Sequence, residues 1–589
     1  MPAAVDEHSE QLPGVVPKPA GAREFTARAV IAGVVVAAIM GASYPYVVLK
    51  LGFGPNVSVV AAFFGYLFLG ILFRTFNRWE NNVVQTAGTS AAQTAFMCVI
   101  LAAFDFLSQN PNLGYSYSPD PLHSFLWLTA ASVLGLLLAV PLRGHYIVDE
   151  KLTYADGVAA AETIIVLDAR GREARRAAIA LFGAAALSAL GWLLTTKWAP
   201  GGGGQHVLPD VIIPTMFGLT AATTGAGVAV SLLGVGSGMI VGNRINLSMA
   251  VGAVIAWIIA PKLLHPDIVP TLNRGDLLLW LMWPGTGMLI AGGLTALALK
   301  WRTLARTFNR LSGNAIDDQE FPLRWVGIGA CLAVMMLLFV QWLAFDLPLW
   351  LTLIAVMLSV PLMLVGLRVL GETNWGPISQ LTNVMQSIFA ALVPGNLTAN
   401  LIASGTTGTI AVQSEAIMQD YKAGHIIGST PRYLTYSQLI AAPIGAAAVA
   451  ICYPMFKETY GIGAGGLTSP ISIRIAGFAD VLSSGFDALP DHAMTFLAIG
   501  AVVGVVLTLL ETKWKKWVPS PTGLGIGMMV PGAVVFAMVI GGLLMSLWNR
   551  VHGKSANQLG MPLASGLIAG EAVMAIVIPI LIQAGLLSA

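Results

Sequence analysis

The sequence predicts an all-α, polytopic membrane helix bundle, because low charge, high hydropathy and repeated apolar runs all point to lipid as its solvent. Its 589 residues are 56% hydrophobic and 10% charged, with a mean hydropathy of +0.76. Soluble domains carry about 25% charged residues, so this chain has too little charge to cover a surface that faces water. Apolar runs continue from Ala29 to Leu587 with short breaks. They favour one bundle over the roughly three or four soluble domains that the length alone suggests.

The predicted spans fall into two sets, and each span needs about 20 predominantly apolar residues. The continuously apolar segments are 27–49, 53–73, 122–142, 176–197, 243–263, 282–300, 324–345, 349–370, 433–453, 493–510, 524–548 and 563–586. The segments that carry Gly, Pro or hydrogen-bonding side chains at membrane depth are 83–107, 212–240, 378–395 and 397–414. Protein or a wet cavity must surround such segments, so we expect broken or re-entrant helices among about 16 transmembrane segments.

An internal repeat divides the predicted bundle into two halves. The matched segments and residues are 234–241 with 523–530, Met249 with Met538, Gly252 with Gly541, and 289–292 with 567–570. An even number of spans in each half gives parallel repeats, of about eight spans each. The predicted divisions are a disordered cytosolic tail at 1–26, a first transmembrane repeat at 27–300, a cytosolic linker at 301–323 and a second transmembrane repeat at 324–589.

The distribution of Lys and Arg predicts the orientation of the bundle. Both residue types crowd the segments 143–176 and 300–324, whereas 104–121 contains neither and 458–492 has only Arg474. Because cytoplasmic loops carry the excess of Lys and Arg, the crowded segments should be cytosolic. With an even number of spans both termini are then cytoplasmic. The expected location is the cell (inner) membrane, with the lipid bilayer as surroundings.

The sequence contains none of the short patterns that mark common enzymes or nucleotide-driven pumps. It lacks His-Glu-x-x-His, the Gly-x-x-x-x-Gly-Lys-Ser/Thr loop and the Gly-x-Ser-x-Gly elbow. Its histidines and its three cysteines, Cys98, Cys331 and Cys452, are dispersed without metal-ligand or disulfide spacing. We therefore predict no catalytic residue, no cofactor, no metal site and no nucleic-acid partner, and an ion gradient as the energy source. An ATPase on a partner protein is left open as another energy source. A channel or a polytopic membrane enzyme is the alternative function from another class.

Two polar stretches inside apolar sequence are the candidates for binding a polar solute. The first is 80–90, where amides and hydroxyls occur together as a predicted cytosolic loop enters a span. The second is 396–409, which follows the helix-breaking pair Pro394-Gly395. The candidate binding residues in these stretches are Asn81, Asn82, Gln85, Thr86, Ser90, Asn396, Asn400, Ser404, Thr406 and Thr407. The alternative is helix-to-helix hydrogen bonding, worth about 0.6 kcal/mol per bond, or a packing seam of small residues.

The first stretch and three later elements resemble the oligopeptide transporter family, whose yellow-stripe-like branch moves metal chelates. Residues 154–162 (Tyr-Ala-Asp-Gly-Val-Ala-Ala-Ala-Glu) resemble the family's Pro-x-Gly-x-Ala-x-Ala-Glu segment, with Ala155-Asp156 where Pro and Glu are usual. Residues 371–379 resemble its Gly-Glu-Thr-x-x-x-Pro-x-Ser element, and 420–432 resemble Asp-x-Lys-x-Gly-x-x-x-Gly-x-x-Pro-Arg. The resemblance covers roughly residues 27–587.

The resemblance implies transport of a short peptide or peptide-like solute by proton symport, with a metal–chelate (siderophore-like) complex as the alternative substrate. Asn374, in the second of these elements, joins the candidate binding residues. The tail lacks the Ser-Pro-Tyr-x-Glu-Val-Arg element of the fungal and plant peptide branch, so the chain looks like a compact prokaryotic member. A homodimer is left open.

Ionisable residues in or beside the spans are the candidates for ion coupling, because each is costly in lipid. Glu80, Glu372, Glu415 and Glu571 are the predicted proton-coupling residues, since a carboxylate among apolar groups can exchange protons near neutral pH. Arg244 is predicted to hold a peptide carboxylate in a bidentate pair. The alternative for each is a structural salt bridge. Two further carboxylates, Asp156 and Glu162, are expected to be solvated among cytosolic basic residues.

Overall fold

The fold is known from a computed structural model that describes most of the chain. The described residues are 18–19, 21–51, 57–72, 76–109, 113–168, 172–195, 208–209, 211–213, 215–216, 218–220, 224–265, 274–299, 319–462, 467, 469–483, 492–514 and 517–583. Most of the predicted tail and linker, at 1–17, 20 and 301–318, lies outside them. The described residues are overwhelmingly helical, which confirms the all-α prediction.

The first half of the chain forms helices of very different length. They are α1 (Ala27–Leu51), α2 (Val57–Tyr66), α3 (Arg78–Phe96), α4 (Cys98–Ser108), α5 (Pro121–Ala139), α6 (Ala155–Asp168), α7 (Arg172–Thr195), α8 (Leu232–Val241), α9 (Asn243–Val254), α10 (Ala260–Leu264) and α11 (Arg274–Leu299). Short π or 3₁₀ turns extend α2, α5 and α9, at Leu67–Leu72, Val140–Leu142, Gly144–Asp149 and Ile255–Ile259. Two antiparallel two-stranded ribbons precede α8, with β1 (Val211–Ile213) paired to β4 (Val228–Ala229) and β2 (Thr215–Met216) paired to β3 (Leu219–Thr220).

The second half begins with α12 and ends with a long, kinked helix. Its helices are α12 (Leu323–Phe345), α13 (Leu349–Thr373), α14 (Ile378–Leu392), α15 (Leu397–Ile427), α16 (Pro431–Tyr460), α17 (Pro470–Ser483), α18 (Ala493–Trp514), α19 (Pro521–Met529) and α20 (Gly532–Gln583). His552 departs from helical geometry inside α20 and marks the kink. The predicted spans 524–548 and 563–586 are therefore joined by helix rather than by a loop.

Within the described residues, 10 helices are long and apolar enough to cross a membrane, which is consistent with a polytopic bundle. The predicted span 83–107 is formed by α3 and α4, which meet at Met97. The predicted span 212–240 instead contains the ribbons and α8. Large apolar side chains face outward on α12 and α18, where Phe339 is 55% exposed and Val502 is 63% exposed. Lipid, rather than water, would cover such faces.

Helix α15 lies at the centre of the bundle. It packs against α3, α5, α6, α13, α14 and α16, and its side chains are buried over most of its length. Asn396 caps its first turn by accepting a hydrogen bond from Ala399 N at 2.9 Å, and Gly428 ends it at φ +80°. The small residue Gly405 lets the ring of Trp127 approach, since a Cβ there would lie 2.7 Å from it. Elements on both sides of α15 are thus held by one central helix.

The two halves meet in a seam of paired contacts. Each contact has a counterpart in which the two halves exchange roles. Gly238 lies against the carbonyl of Met538, and the matching Gly527 lies against that of Met249. Gly252 and Gly541 similarly lie against the carbonyls of Leu524 and Val235. We call these four glycines and their four partners the reciprocal seam. Each contact maps onto its counterpart by the offset of the sequence repeat, so a two-fold relation connects the matched segments.

Candidate functional site

The first polar stretch lies on α3, which is buried although much of its sequence is polar. Asn77 caps the helix by accepting a hydrogen bond from Trp79 N at 3.0 Å. The five candidate binding residues on α3 are all fully buried, and α1, α15 and α16 pack around the helix. A helix with hydrogen-bonding side chains around its circumference cannot face lipid, so protein must surround it.

A chain of buried hydrogen bonds links α3 to α15 and α16, and we call it the amide seam: Gln85, Ser90, Gln413, Asp420 and Gln438. Asp420 accepts hydrogen bonds from Gln85 Nε2 at 2.5 Å and from Gln438 Nε2 at 2.6 Å. Gln413 Nε2 donates to Ser90 Oγ at 2.6 Å and to Gln438 Oε1 at 3.0 Å. The seam therefore places a carboxylate among amides. Gln85 and Ser90 belong to the first half of the chain, and the other three residues belong to the second half.

Several oxygens beside the amide seam have no hydrogen-bond partner. They are Asn82 Oδ1, Gln85 Oε1 and Thr86 Oγ1, all on α3. The amide N–H groups of the first two are already engaged, because Asn82 donates to Ser429 Oγ at 2.9 Å and Gln85 donates to Asp420. A buried acceptor without a donor costs about 1–3 kcal/mol, which a bound solute with N–H or O–H groups would recover. Asn81 Oδ1 also has no hydrogen-bond partner, and it packs on Gly65 while the amide donates to Ala62 O at 3.2 Å.

The second polar stretch makes separate contacts on α15. Thr406 accepts hydrogen bonds from Trp127 Nε1 at 2.9 Å and from Gln341 Nε2 at 2.8 Å. Thr407 and Ser359 share a hydrogen bond at 2.8 Å, and Asn400 Nδ2 donates to Gln386 O at 2.7 Å. Ser404 donates to a backbone carbonyl one turn earlier on its own helix. These partners lie on α5, α12, α13 and α14, so the hydrogen bonds of this stretch are separate from those of the amide seam.

A small, partly open cleft lies beside α3, between α1 and α16. Its lining is mostly apolar and includes Val83, Ala87 and Ser437. It borders two apolar residues of the first polar stretch, but no candidate binding residue of either stretch lines it. A cavity shared by both stretches therefore stays a prediction.

Asn374 belongs to a third polar group, where α6, α13 and α15 meet. It ends α13 in the left-handed region at φ +61°, which Asn tolerates better than most residues. Its Nδ2 donates to Asp156 Oδ1 at 2.7 Å, and its Oδ1 accepts from Asp156 N at 3.0 Å. Gln419 Oε1 accepts from Gly157 N at 2.7 Å. Nearby, Glu415 lies against Gly376, and its Oε1 has no hydrogen-bond partner.

Two of the other predicted coupling carboxylates lie in ion pairs at helix ends. Glu80 is held by Arg28 and by Thr26 Oγ1, which donates at 2.6 Å. Glu372 pairs with Arg368 at 2.8 Å, one helical turn away, and accepts a hydrogen bond from Ser520 Oγ at 3.4 Å. Both carboxylates thus form the salt bridges named as the alternative, and their role in proton coupling stays a prediction.

The remaining predicted ionisable residues also have specific partners. Glu571 accepts hydrogen bonds from Leu233 N at 2.9 Å and from Ser231 Oγ at 3.2 Å, so it caps the first turn of α8. Arg244 pairs with Glu511 at 2.9 Å. The amide seam, Glu571 and Arg244 are therefore three separate places in the fold.

Sequence reasoning missed the residues at the centre of the amide seam. Asp420 occurs in the resembling element at 420–432, but its burial beside Gln85 depends on contacts distant in sequence. Gln413 and Asp420 are seven residues apart on α15, and that two-turn spacing was the one available signal. The expectation that Glu162 is solvated is wrong, because its side chain is 7% exposed. No group of three or more His, Cys, Asp and Glu side chains suited to a metal occurs in the part of the chain that the structure describes.

Comparison with known proteins matches this chain over almost its entire length. The family model for OPT oligopeptide transporter protein matches residues 24–582. The iron-phytosiderophore transporter yellow stripe 1 of Zea mays is 26% identical, with 97% of this chain and 94% of the relative aligned. The metal-nicotianamine transporter YSL3 of Arabidopsis thaliana is 25% identical over 94% of this chain and 91% of that protein. This multi-pass membrane protein therefore belongs to the OPT oligopeptide transporter family.

Proposed function

We propose that this transporter carries a complex of a metal ion with a small organic chelator, driven by a proton gradient. The observation that carries the proposal is the full-length similarity to relatives whose names specify iron-phytosiderophore and metal-nicotianamine complexes. It favours the chelate, the alternative substrate that the family resemblance implies, over a short peptide. The metal ion is cargo here, and the chelator supplies its ligands.

The amide seam and the unpartnered oxygens of α3 support this assignment chemically. A chelate held by amino and carboxylate groups presents the N–H donors of its amines, and Asn82, Gln85 and Thr86 offer acceptors. Asp420 adds a buried carboxylate between two amides. The candidate residues on the second stretch and Arg244 also remain proposed binding residues. Variants of them are to be tested after those of α3.

Uptake into liposomes that contain the purified full-length chain tests the proposal. Radiolabelled iron(II)–nicotianamine should accumulate saturably when the pH is lower on the side from which it enters, with or without sodium. Unlabelled complex should compete, whereas metal-free tri- and tetrapeptides should not. Saturable uptake of the peptides without uptake of the complex would establish the peptide alternative. Flux that never saturates and ignores pH would establish a channel, and dependence on sodium alone would remove proton coupling.

A further inference from the structure

The short helix α6 carries a buried carboxylate, Glu162, with one oxygen that has no hydrogen-bond partner. The helix has 14 residues and lies in the Arg-rich segment predicted to be cytosolic, outside the candidate spans. It packs against α15, α20, α2 and α3, so helices from both halves surround it. Glu162 projects from its middle and is 7% exposed, and Glu162 Oε2 has no hydrogen-bond partner. Protein, rather than lipid, buries this group.

Three other buried carboxylates have fixed donors or cations, whereas Glu415 on α15 resembles Glu162 in that its Oε1 has no hydrogen-bond partner. Glu80 has Arg28, Asp420 has two amides, and Glu571 has the first turn of α8. A proton on the bonded oxygen of any of these three carboxylates would compete with an existing hydrogen bond or ion pair. Glu162 has no such partner, so protonation costs it no contact.

The helices packed against α6 carry ionisable groups of their own. They are Arg78 and Glu80 on α3, Arg175 and Arg176 on α7, Glu415, Asp420, Lys422 and His425 on α15, and Arg550, His552, Lys554 and Glu571 on α20. None of these forms an ion pair or hydrogen bond with Glu162. Burial alone raises the pKa of Glu162, to about 7, with no contribution from a neighbouring charge. At neutral pH both protonation states are thus populated, as a carboxylate that exchanges protons requires.

We propose that Glu162 is the carboxylate that exchanges the coupled proton with the cytosolic side during transport. In the step, a hydronium ion in the aqueous phase gives its proton to the carboxylate of Glu162 and leaves water. The reverse step returns the proton to water when the surroundings of α6 change. Because α6 touches α15 and α20, a rearrangement of these helices alters the burial of Glu162 and therefore its affinity for the proton. The proposal rests on the proton-coupled transport proposed above.

Infrared difference spectroscopy tests the titration without any substrate. Protein in liposomes is taken from pH 5 to pH 9, and the carbonyl band of protonated carboxylic acids is followed. A component with a midpoint of about 7 should be present in the wild type and absent in Glu162→Gln. It should persist in Asp168→Asn, which changes the last residue of the same helix, where Asp168 is 31% exposed and pairs with Arg78 at 3.8 Å. An unchanged band in Glu162→Gln overturns the proposal.

Transport of iron(II)–nicotianamine separates this proposal from the proposed function. Glu162→Gln should still exchange labelled for unlabelled complex between the two sides, yet lose accumulation driven by the pH gradient. A purely structural role would lower both, and accumulation like that of the wild type would overturn the proposal. If the wild type itself ignores pH while Glu162 titrates, proton coupling fails. Should Glu162→Gln not fold, Glu162→Asp retains the acid and should shift the midpoint of the titration.

Discussion

At the residue scale, the amide seam depends on one carboxylate that two amides share. Asp420 accepts from Gln85 and from Gln438, one on each oxygen. We predict that Asp420→Asn lowers the free energy of unfolding by about 1–3 kcal/mol, because the new amide nitrogen faces a donor and leaves it without an acceptor. Thermal unfolding in detergent measures the change.

The control for Asp420→Asn is Asp346→Asn. Asp346 is exposed and adopts φ +51°, a conformation that Asn tolerates equally well. This variant should unfold with the wild type. Equal stability of Asp420→Asn and the wild type would mean that the seam does not depend on the negative charge of Asp420.

The raised pKa of Glu162 also leads to a prediction of how the stability of the protein varies with pH. Its pKa rises from 4.5 in the unfolded chain to about 7 in the fold, so the folded state holds the extra proton between these values. The contribution of this group to stability is therefore lost as pH rises from 4.5 to about 7, by about 3 kcal/mol at most. Glu162→Gln should raise the unfolding temperature more at pH 8 than at pH 5. The same difference at both pH values would contradict the prediction.

At the element scale, the reciprocal seam makes two glycines equivalent although they lie in different halves. Neither Gly238 nor Gly527 has room for a Cβ, because each lies against a backbone carbonyl of the other half. We predict that Gly238→Ala and Gly527→Ala destabilise the protein by similar amounts, of about 1–3 kcal/mol, since the helices must separate to admit the methyl group.

Gly327→Ala provides the control, because it adds the same methyl group inside a helix, α12, with nothing within 4 Å. It should leave stability unchanged or raise it slightly. Thermal unfolding of all three variants under one condition measures the pattern. A large loss for one seam glycine and none for the other would contradict the two-fold relation.

The sequence predicts the helices well where a single signal dominates. Apolar length locates α12, α13 and α18 within a few residues, and the Gly-Met pattern marks α8 and α19 as equivalent. It predicts less where tertiary contacts decide the outcome. Hydropathy cannot show that α20 continues through 549–562, because a polar segment reads the same as a loop or as a kinked helix. The pairing of Glu80 with Arg28 likewise requires two chain segments to meet.

At the scale of the whole molecule, the orientation predicted from Lys and Arg can be measured directly. Single cysteines are introduced at Asp149 and Glu458, both exposed, in a chain whose three native cysteines are replaced. The first should be protected from a membrane-impermeant thiol reagent in intact cells and the second should be labelled, because positively charged loops stay in the cytosol. Labelling of both after permeabilisation is the control, and the opposite pattern would invert the topology.

The reciprocal seam also has a consequence for the ancestry of such a chain. In a homodimer of half-length subunits, one gene would encode the Gly–Met contact once and the assembly would contain it twice. Joining two copies in a single chain lets each copy vary alone. Ser231 meets Glu571 while its counterpart Ser520 meets Glu372, so their hydrogen-bond partners have diverged. The glycines match in both copies because a backbone contact admits no side chain. The seam thus has, within one polypeptide, the contact pattern of a two-fold subunit interface.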